Sequence, residues 1–199
     1  MFLLKLYLIN KVFNNGSGNM ELNEKRISEK KIYDGRIIRV HVDEIELPDG
    51  KAGTREVVEH PGGVCIAAVT SKKELIFVKQ FRYPFKEVCL ELPAGKLEPG
   101  EEPFEAVKRE LKEETGCTGR DFIFMGNMYP TPGFCGEIDR LWFCCVDTEG
   151  DELDLDEDEN IETVKIYYKD AVEMVMKNEI PDAKTQLLIL KAEKIIESL

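Results

Sequence analysis

The chain has 199 residues, with 39 acidic and 27 basic side chains and a net charge of −12. That length favours one domain with a substantial core and leaves little room for a second catalytic domain. The acidity denies the chain the electrostatic footprint of a nonspecific DNA- or RNA-binding protein, so an anionic ligand would have to be met by metal and a few local arginines.

The first nineteen residues, MFLLKLYLINKVFNNGSGN, are apolar and then rich in Gly, Asn and Ser, and they precede a second methionine, Met20. Lys5 interrupts the apolar run and no small-residue cleavage site follows, which argues against a signal peptide. The run is also too short to span a bilayer, and no other segment approaches that length. Residues 1–30 are therefore expected to be an extension outside the core, with Met1 and Met20 both open as the natural start.

From Lys31 the pattern turns to β-structure. Residues 37–47 alternate, with Ile38, Val40, Val42, Ile45 and Leu47 among polar neighbours, and Pro48-Asp49-Gly50 is a turn signal. Residues 54–60 supply a partner strand, so residues 31–60 read as a small antiparallel unit ahead of a main domain at 61–199. After Pro61-Gly62-Gly63, the apolar runs 64–69 and 75–78 flank the polar turn Ser71-Lys72-Lys73 and predict the buried strands of one hairpin. A strand at 88–92 leads through Pro93-Ala94-Gly95 to an acidic helix, and further strands are predicted at 122–125, 141–146 and 161–168. Helical periodicity covers 169–178 and 183–198 and is interrupted at Pro181. The expected class is α/β (α+β), a mixed sheet flanked by helices.

Six cysteines, Cys65, Cys89, Cys117, Cys135, Cys144 and Cys145, lie mostly in apolar runs without a CxxC pair or a histidine-rich ligand pattern. They read as small buried hydrophobes in a reducing cytosol, so a cytoplasmic location is expected. The acidic stretch DTEGDELDLDEDE at 147–159 lacks the central glycine and helical flanks of a calcium-binding EF-hand and reads as a solvated loop.

The chemistry concentrates in GKLEPGEEPFEAVKRELKEETGC, residues 95–117. Pro103 and Gly116 bracket a helix of about four turns, with Glu101 and Glu102 at the positive end of its dipole. At 3.6 residues per turn, Glu110, Glu113 and Glu114 share one face, while Ala106 and Leu111 lie elsewhere and can meet a core. Three carboxylates this close repel one another unless hard cations sit between them. Magnesium suits such a site and is commonly completed by substrate phosphates, so the arrangement points to phosphate chemistry.

The spacing of Gly95, Glu101, Arg109, Glu110, Leu111, Glu113, Glu114 and Gly116 resembles the Nudix box, departing from it only at Cys117, where an aliphatic residue is usual. TREVVEHPGG (54–63), VKQFRYP (78–84), ELPAGKLEPGE (91–101), YPTPGF (129–134), Glu137 and EIPDAKT (179–185) resemble the ADP-ribose pyrophosphatase branch, as does Pro132, sixteen residues beyond Gly116. The resemblance implies a Nudix-type α/β/α sandwich. It also implies hydrolysis of ADP-ribose to AMP and ribose 5-phosphate with Mg2+, or Mn2+ in its place, and a homodimer that exchanges the N-terminal strands.

Carried over residue by residue, the resemblance places metal on Glu110, Glu113, Glu114 and the Ala94 carbonyl, with Glu113 also counted among the catalytic residues. It places substrate on Arg82, Arg55 and Glu137. Gly95, Glu101, Arg109 and Gly116 support the box. The general base aligns best with Glu159, and Glu157 and Asp158 remain alternatives. Two other readings stay open: a Nudix hydrolase for another nucleoside diphosphate compound, such as a sugar nucleotide or a damaged nucleotide, and a module that senses ADP-ribose without cleaving it. Neither nucleic acid nor membrane is expected as a partner.

Overall fold

The computed structural model describes residues 22–150, 153, 155 and 160–199. The N-terminal apolar run and the three candidate bases Glu157, Asp158 and Glu159 therefore lie outside the described residues.

Three antiparallel strands come first: β1 (Lys25–Asp34), β2 (Arg39–Glu46) and β3 (Ala52–Glu59), in the order β1-β2-β3. The turn at Pro48-Asp49-Gly50 forms as its residues dictate. Gly50 takes φ +82°, and Leu47 and Lys51 close the hairpin with an N–H to carbonyl bond of 2.8 Å. Strand β1 starts six residues upstream of the boundary expected at Lys31, so the extended structure includes part of the segment read as an extension. Every residue of β1 is exposed. A strand that buries neither face has no need of apolar alternation, and its order rests on backbone pairing with β2.

The main sheet holds β4 (Gly63–Val69), β5 (Glu74–Arg82), β6 (Glu87–Glu91), β7 (Ala94–Lys96), β8 (Thr118–Met128), β9 (Asp139–Thr148) and β10 (Ile161–Tyr167). Its order is β10-β5-β4-β9-β8, with β6 on β5 and β7 on β4. The β4–β9 pair is parallel and the others are antiparallel. Both faces of β4 are buried. Cys65, Ala67 and Val69 meet α2 (Tyr168–Met176) and α3 (Ala183–Ser198) through Ala171, Leu188, Ile189 and Ala192. Val64, Ile66 and Ala68 meet α1 (Pro103–Thr115) through Ala106, Val107 and Leu111. Each fully buried Leu, Ile or Phe here contributes about 1.5–3 kcal/mol of transfer free energy, which is what fixes the helices on the two faces.

The hairpin expected between β4 and β5 pairs only at its turn, through Val69 and Leu75. Beyond that the two strands part. β4 takes β7 as its neighbour at Gly63–Cys65, while β5 takes β6 from Val78 to Arg82. Pro93 sits in the opening, its carbonyl accepting from Ile66 N at 2.9 Å. The splay carries residues 91–96 between the two strands and brings them against the acidic helix.

Candidate active site

Helix α1 forms where the residues set it. Pro103 occupies its first turn, where a missing N–H costs nothing, and Gly116 closes it at φ +69°, donating its N–H to the Lys112 carbonyl at 2.8 Å. Ala106 and Leu111 are fully buried against the sheet. Glu110 and Glu114 are also buried, at 8% and 2% exposure, whereas Glu113 stands partly open.

The carboxylates are held in place by specific partners. Glu114 Oε2 accepts the Ala94 N–H at 2.9 Å, tying the last carboxylate of the helix to the first residue of β7. Nη1 of Arg109 lies 2.8 Å from both Glu110 Oε1 and Glu113 Oε2. The same guanidinium grips Glu101 through Nε at 2.8 Å and Nη2 at 2.9 Å, and Nη2 reaches the Lys96 carbonyl at 3.2 Å. Glu101 in turn accepts the Glu98 N–H at 3.0 Å. Arg109 thus joins the loop before α1 to two carboxylates on it. The hydrogen bond to Glu101 raises the arginine above its ordinary value despite partial burial, and the same bond lowers Glu101.

Gly95 shows why the segment opens on glycine. A Cβ built there would lie 2.0 Å from the Glu110 carboxylate, a separation no side chain can accept. The absent side chain leaves a cradle into which Glu110 fits. Glu110 and Glu114 reach the Ala94-Gly95 turn, and Glu113 is joined to Glu110 through Arg109, so the helix offers carboxylate oxygens of the kind a hard divalent cation takes.

A NUDIX domain model matches residues 59–187, and a nucleoside diphosphate sugar hydrolase N-terminal domain model matches residues 24–58. The chain belongs to the Nudix family. It is 42% identical to an ADP-ribose pyrophosphatase of Bacillus subtilis, over 84% of this chain and 91% of that protein. A methanol dehydrogenase activator of Bacillus methanolicus is 35% identical over 83% and 90%. An ADP-ribose pyrophosphatase of Mycobacterium tuberculosis is 35% identical over 58% and 56%. The chain is accordingly a Nudix hydrolase acting on nucleoside diphosphate derivatives, and the architecture, a mixed sheet between helices behind a small antiparallel sheet, is the one its sequence predicted.

At the final position of the Nudix box, Cys117 is 3% exposed and packs with Val64, Ile66 and Leu111. It does the work of the usual aliphatic residue. All six cysteines are free thiols, and burial pushes Cys144 up to about 12.

The structure gathers Ala94, Gly95, Glu101, Arg109, Glu110, Glu113 and Glu114 into one place. Arg82 is nearby, at the end of β5, and Glu114 is among the charges acting on it. It is held by Glu91, which accepts from Nε and from Nη2 at 2.7 Å each. Glu137 lies before β9 with Oε1 3.3 Å from His60 Nδ1. Next to it, buried Asp139 is raised to about 6, first by desolvation and then by the charge of Glu137.

Arg55 stands apart on β3, where its guanidinium pairs with Glu24 and donates to the Thr54 carbonyl at 2.9 Å. Sequence reasoning assigned no role to Glu91, His60, Asp139 or Lys184. The first and last of these lie in ELPAG and EIPDAKT, segments marked only by resemblance.

A second set of ligand-type side chains, Glu29, His41 and Asp43, lies across β1 and β2 with ligand atoms within 4.8 Å of one another. There His41 Nδ1 and Asp43 Oδ1 are 2.7 Å apart, the distance of an ordinary hydrogen-bonded pair. Among the described residues no helix is long and apolar enough to cross a membrane.

Proposed function

We propose that the chain hydrolyses the diphosphate of ADP-ribose to AMP and ribose 5-phosphate. The observation that carries this reading is the approach of Glu110 and Glu114 to the Ala94-Gly95 turn, with Glu113 joined to Glu110 through Arg109, in a chain similar over most of its length to an ADP-ribose pyrophosphatase. Glu110, Glu113, Glu114 and the Ala94 carbonyl would hold magnesium, or manganese in its place. Bound there, the metal neutralises diphosphate oxygens and lowers the pKa of water.

The remaining work falls to the chain itself. Arg109, locked to Glu101, keeps the helix and the preceding loop in register so that the carboxylates converge. Arg82 presents a guanidinium whose planar edge suits an anionic oxygen pair. Glu137 meets the terminal ribose or supports the metal site. Glu159, in the acidic stretch of sequence before Ile161, takes the proton of the attacking water, with Glu157 and Asp158 as the other carboxylates of that stretch able to do so. Water adds to one phosphorus, the bridging P–O bond breaks, and the two monophosphates leave. The enzyme works in the cytoplasm as a homodimer, in which each site receives Arg55 from the partner subunit's N-terminal sheet.

A second reading follows from the match of residues 24–58 to a nucleoside diphosphate sugar hydrolase N-terminal domain, which leaves other nucleoside diphosphate sugars as substrates. A sensing module that binds without turnover is disfavoured, because every carboxylate of the box is kept. The test is a panel of ADP-ribose, GDP-mannose and nucleoside triphosphates with magnesium and with manganese. AMP release from ADP-ribose should dominate, and Glu114→Gln should lower kcat by roughly 100-fold or more. Faster turnover of another compound by a large factor overturns the substrate assignment, and bound but intact ADP-ribose overturns the enzyme.

A further inference from the structure

EIPDAKT, residues 179–185, has no task in the chemistry above, yet it places a cation beside the site. Lys184 keeps 14% side-chain exposure, with Nζ 2.5 Å from Glu91 Oε2 and 2.9 Å from Asp182 Oδ1. We infer that Lys184 is a positioning residue for Arg82, acting through Glu91, so that the free edge of the Arg82 guanidinium faces an anionic substrate. The inference rests on the diphosphate-hydrolase reading only in requiring that substrate to carry negative charge.

Glu91 joins the two cations. Its side chain is 3% exposed and its two oxygens accept Arg82 Nε and Nη2, which fixes the plane of the guanidinium and leaves the Nη1 edge directed away from Glu91. Arg82 is partly open to solvent, so that edge can meet a ligand. A buried carboxylate with one cation would compete with the substrate for that cation's charge. A second cation on the same carboxylate relieves the competition. Arg82 and Lys184 together balance Glu91 and Asp182, and removing Lys184 would leave one uncompensated negative charge beside a group meant to attract an anion.

The ammonium is also delivered rigidly. Asp182 caps α3 by accepting the Thr185 N–H at 3.0 Å, and Thr185 Oγ1 accepts the Leu92 N–H at 2.9 Å. The start of α3 is thereby bonded to the residue next to Glu91, so Lys184 and Glu91 come from two elements locked to each other.

The test measures steady-state kinetics with magnesium for Lys184→Met, Lys184→Arg, Arg82→Lys and the Lys184→Met/Arg82→Lys double variant, each with its thermal midpoint. Lys184→Met should raise KM about tenfold with kcat within about twofold, Lys184→Arg should recover most of the loss, and the double variant should be no worse than Arg82→Lys alone. Should Lys184→Met not fold, Lys184→Gln keeps a hydrogen bond to Glu91 without the charge, and its KM must rise as well. Additive losses in the double variant, or a lowered midpoint with unchanged KM, overturn the inference. The substrate is whichever compound the wild-type enzyme turns over fastest, so a poor rate with ADP-ribose counts against the proposed function and leaves this test intact.

Discussion

The missing side chain at Gly95 does as much for the site as any carboxylate on it. A Cβ there would lie 2.0 Å from the Glu110 carboxylate carbon and one of its oxygens, so Gly95→Ala has to push the Glu110 carboxylate off the Ala94-Gly95 turn. The chain should still fold, because the displaced group lies at the rim of the core. Activity should fall by about 100-fold with an unchanged circular dichroism spectrum. Glu91 carries a prediction in pH. Burial alone raises it, but the hydrogen bonds from Arg82 and the charge of Lys184 bring it down from its ordinary 4.5 to about 2. A depressed carboxylate stabilises the fold above its unfolded value, and that contribution is lost as pH falls from 4.5 towards 2. At about 1.4 kcal/mol per pKa unit, Glu91→Gln should cost on the order of 3 kcal/mol at neutral pH, with the gap to wild type closing across that acid window in urea titrations. The residues doing this work were unequally legible. The three helical glutamates announced themselves by spacing, whereas Glu91 and Lys184 are 93 positions apart and meet only because β6 and the start of α3 are bonded together.

Among the elements, α1 was the most legible and β1 the least, for opposite physical reasons. The ends of α1 are written in its residues, a proline at the start and a glycine at φ +69° at the close, and its apolar stripe matches one buried face. An alanine at Gly116 would have to adopt the left-handed region. That should cost about 1 kcal/mol and lower the thermal midpoint by roughly 2–4 °C. Trp142, the only tryptophan, reports the change: its ring packs 5.5 Å from Phe104 at the start of α1 and 5.1 Å from Phe124 of β8. The fluorescence transition therefore follows the docking of this helix. β1, with ten exposed residues, offers no stripe to read. The splay of β4 from β5 escaped for a third reason. Local turn chemistry specifies that Val69 meets Leu75, but which neighbours the strands then choose depends on β7, β6 and the distant β9.

At the scale of the whole molecule, two backbone hydrogen bonds on Val58 tie the three-stranded sheet to the catalytic body among the described residues. Val58 N donates to the Phe134 carbonyl at 2.8 Å, and Gly136 N donates to the Val58 carbonyl at 2.9 Å. Its outer strand leaves Ile27, Ile32 and Tyr33 more than half exposed. A small three-stranded sheet whose outer strand leaves three large apolar side chains in solvent is poorly stabilised alone and gains by packing on a second copy. Arg55 makes the same point from the site. Within one chain it is occupied by Glu24, away from the carboxylates of α1, and a twofold exchange would give it a substrate to meet. Light scattering should therefore return a mass twice the 22.7 kDa of a single chain. Replacing both Ile27 and Ile32 with lysine should shift that mass towards one chain and raise KM, because each monomer would lack its neighbour's arginine. Arg55→Ala should raise KM in the dimer by a similar factor without changing its mass. Full activity in a monomer would separate the sheet from catalysis altogether.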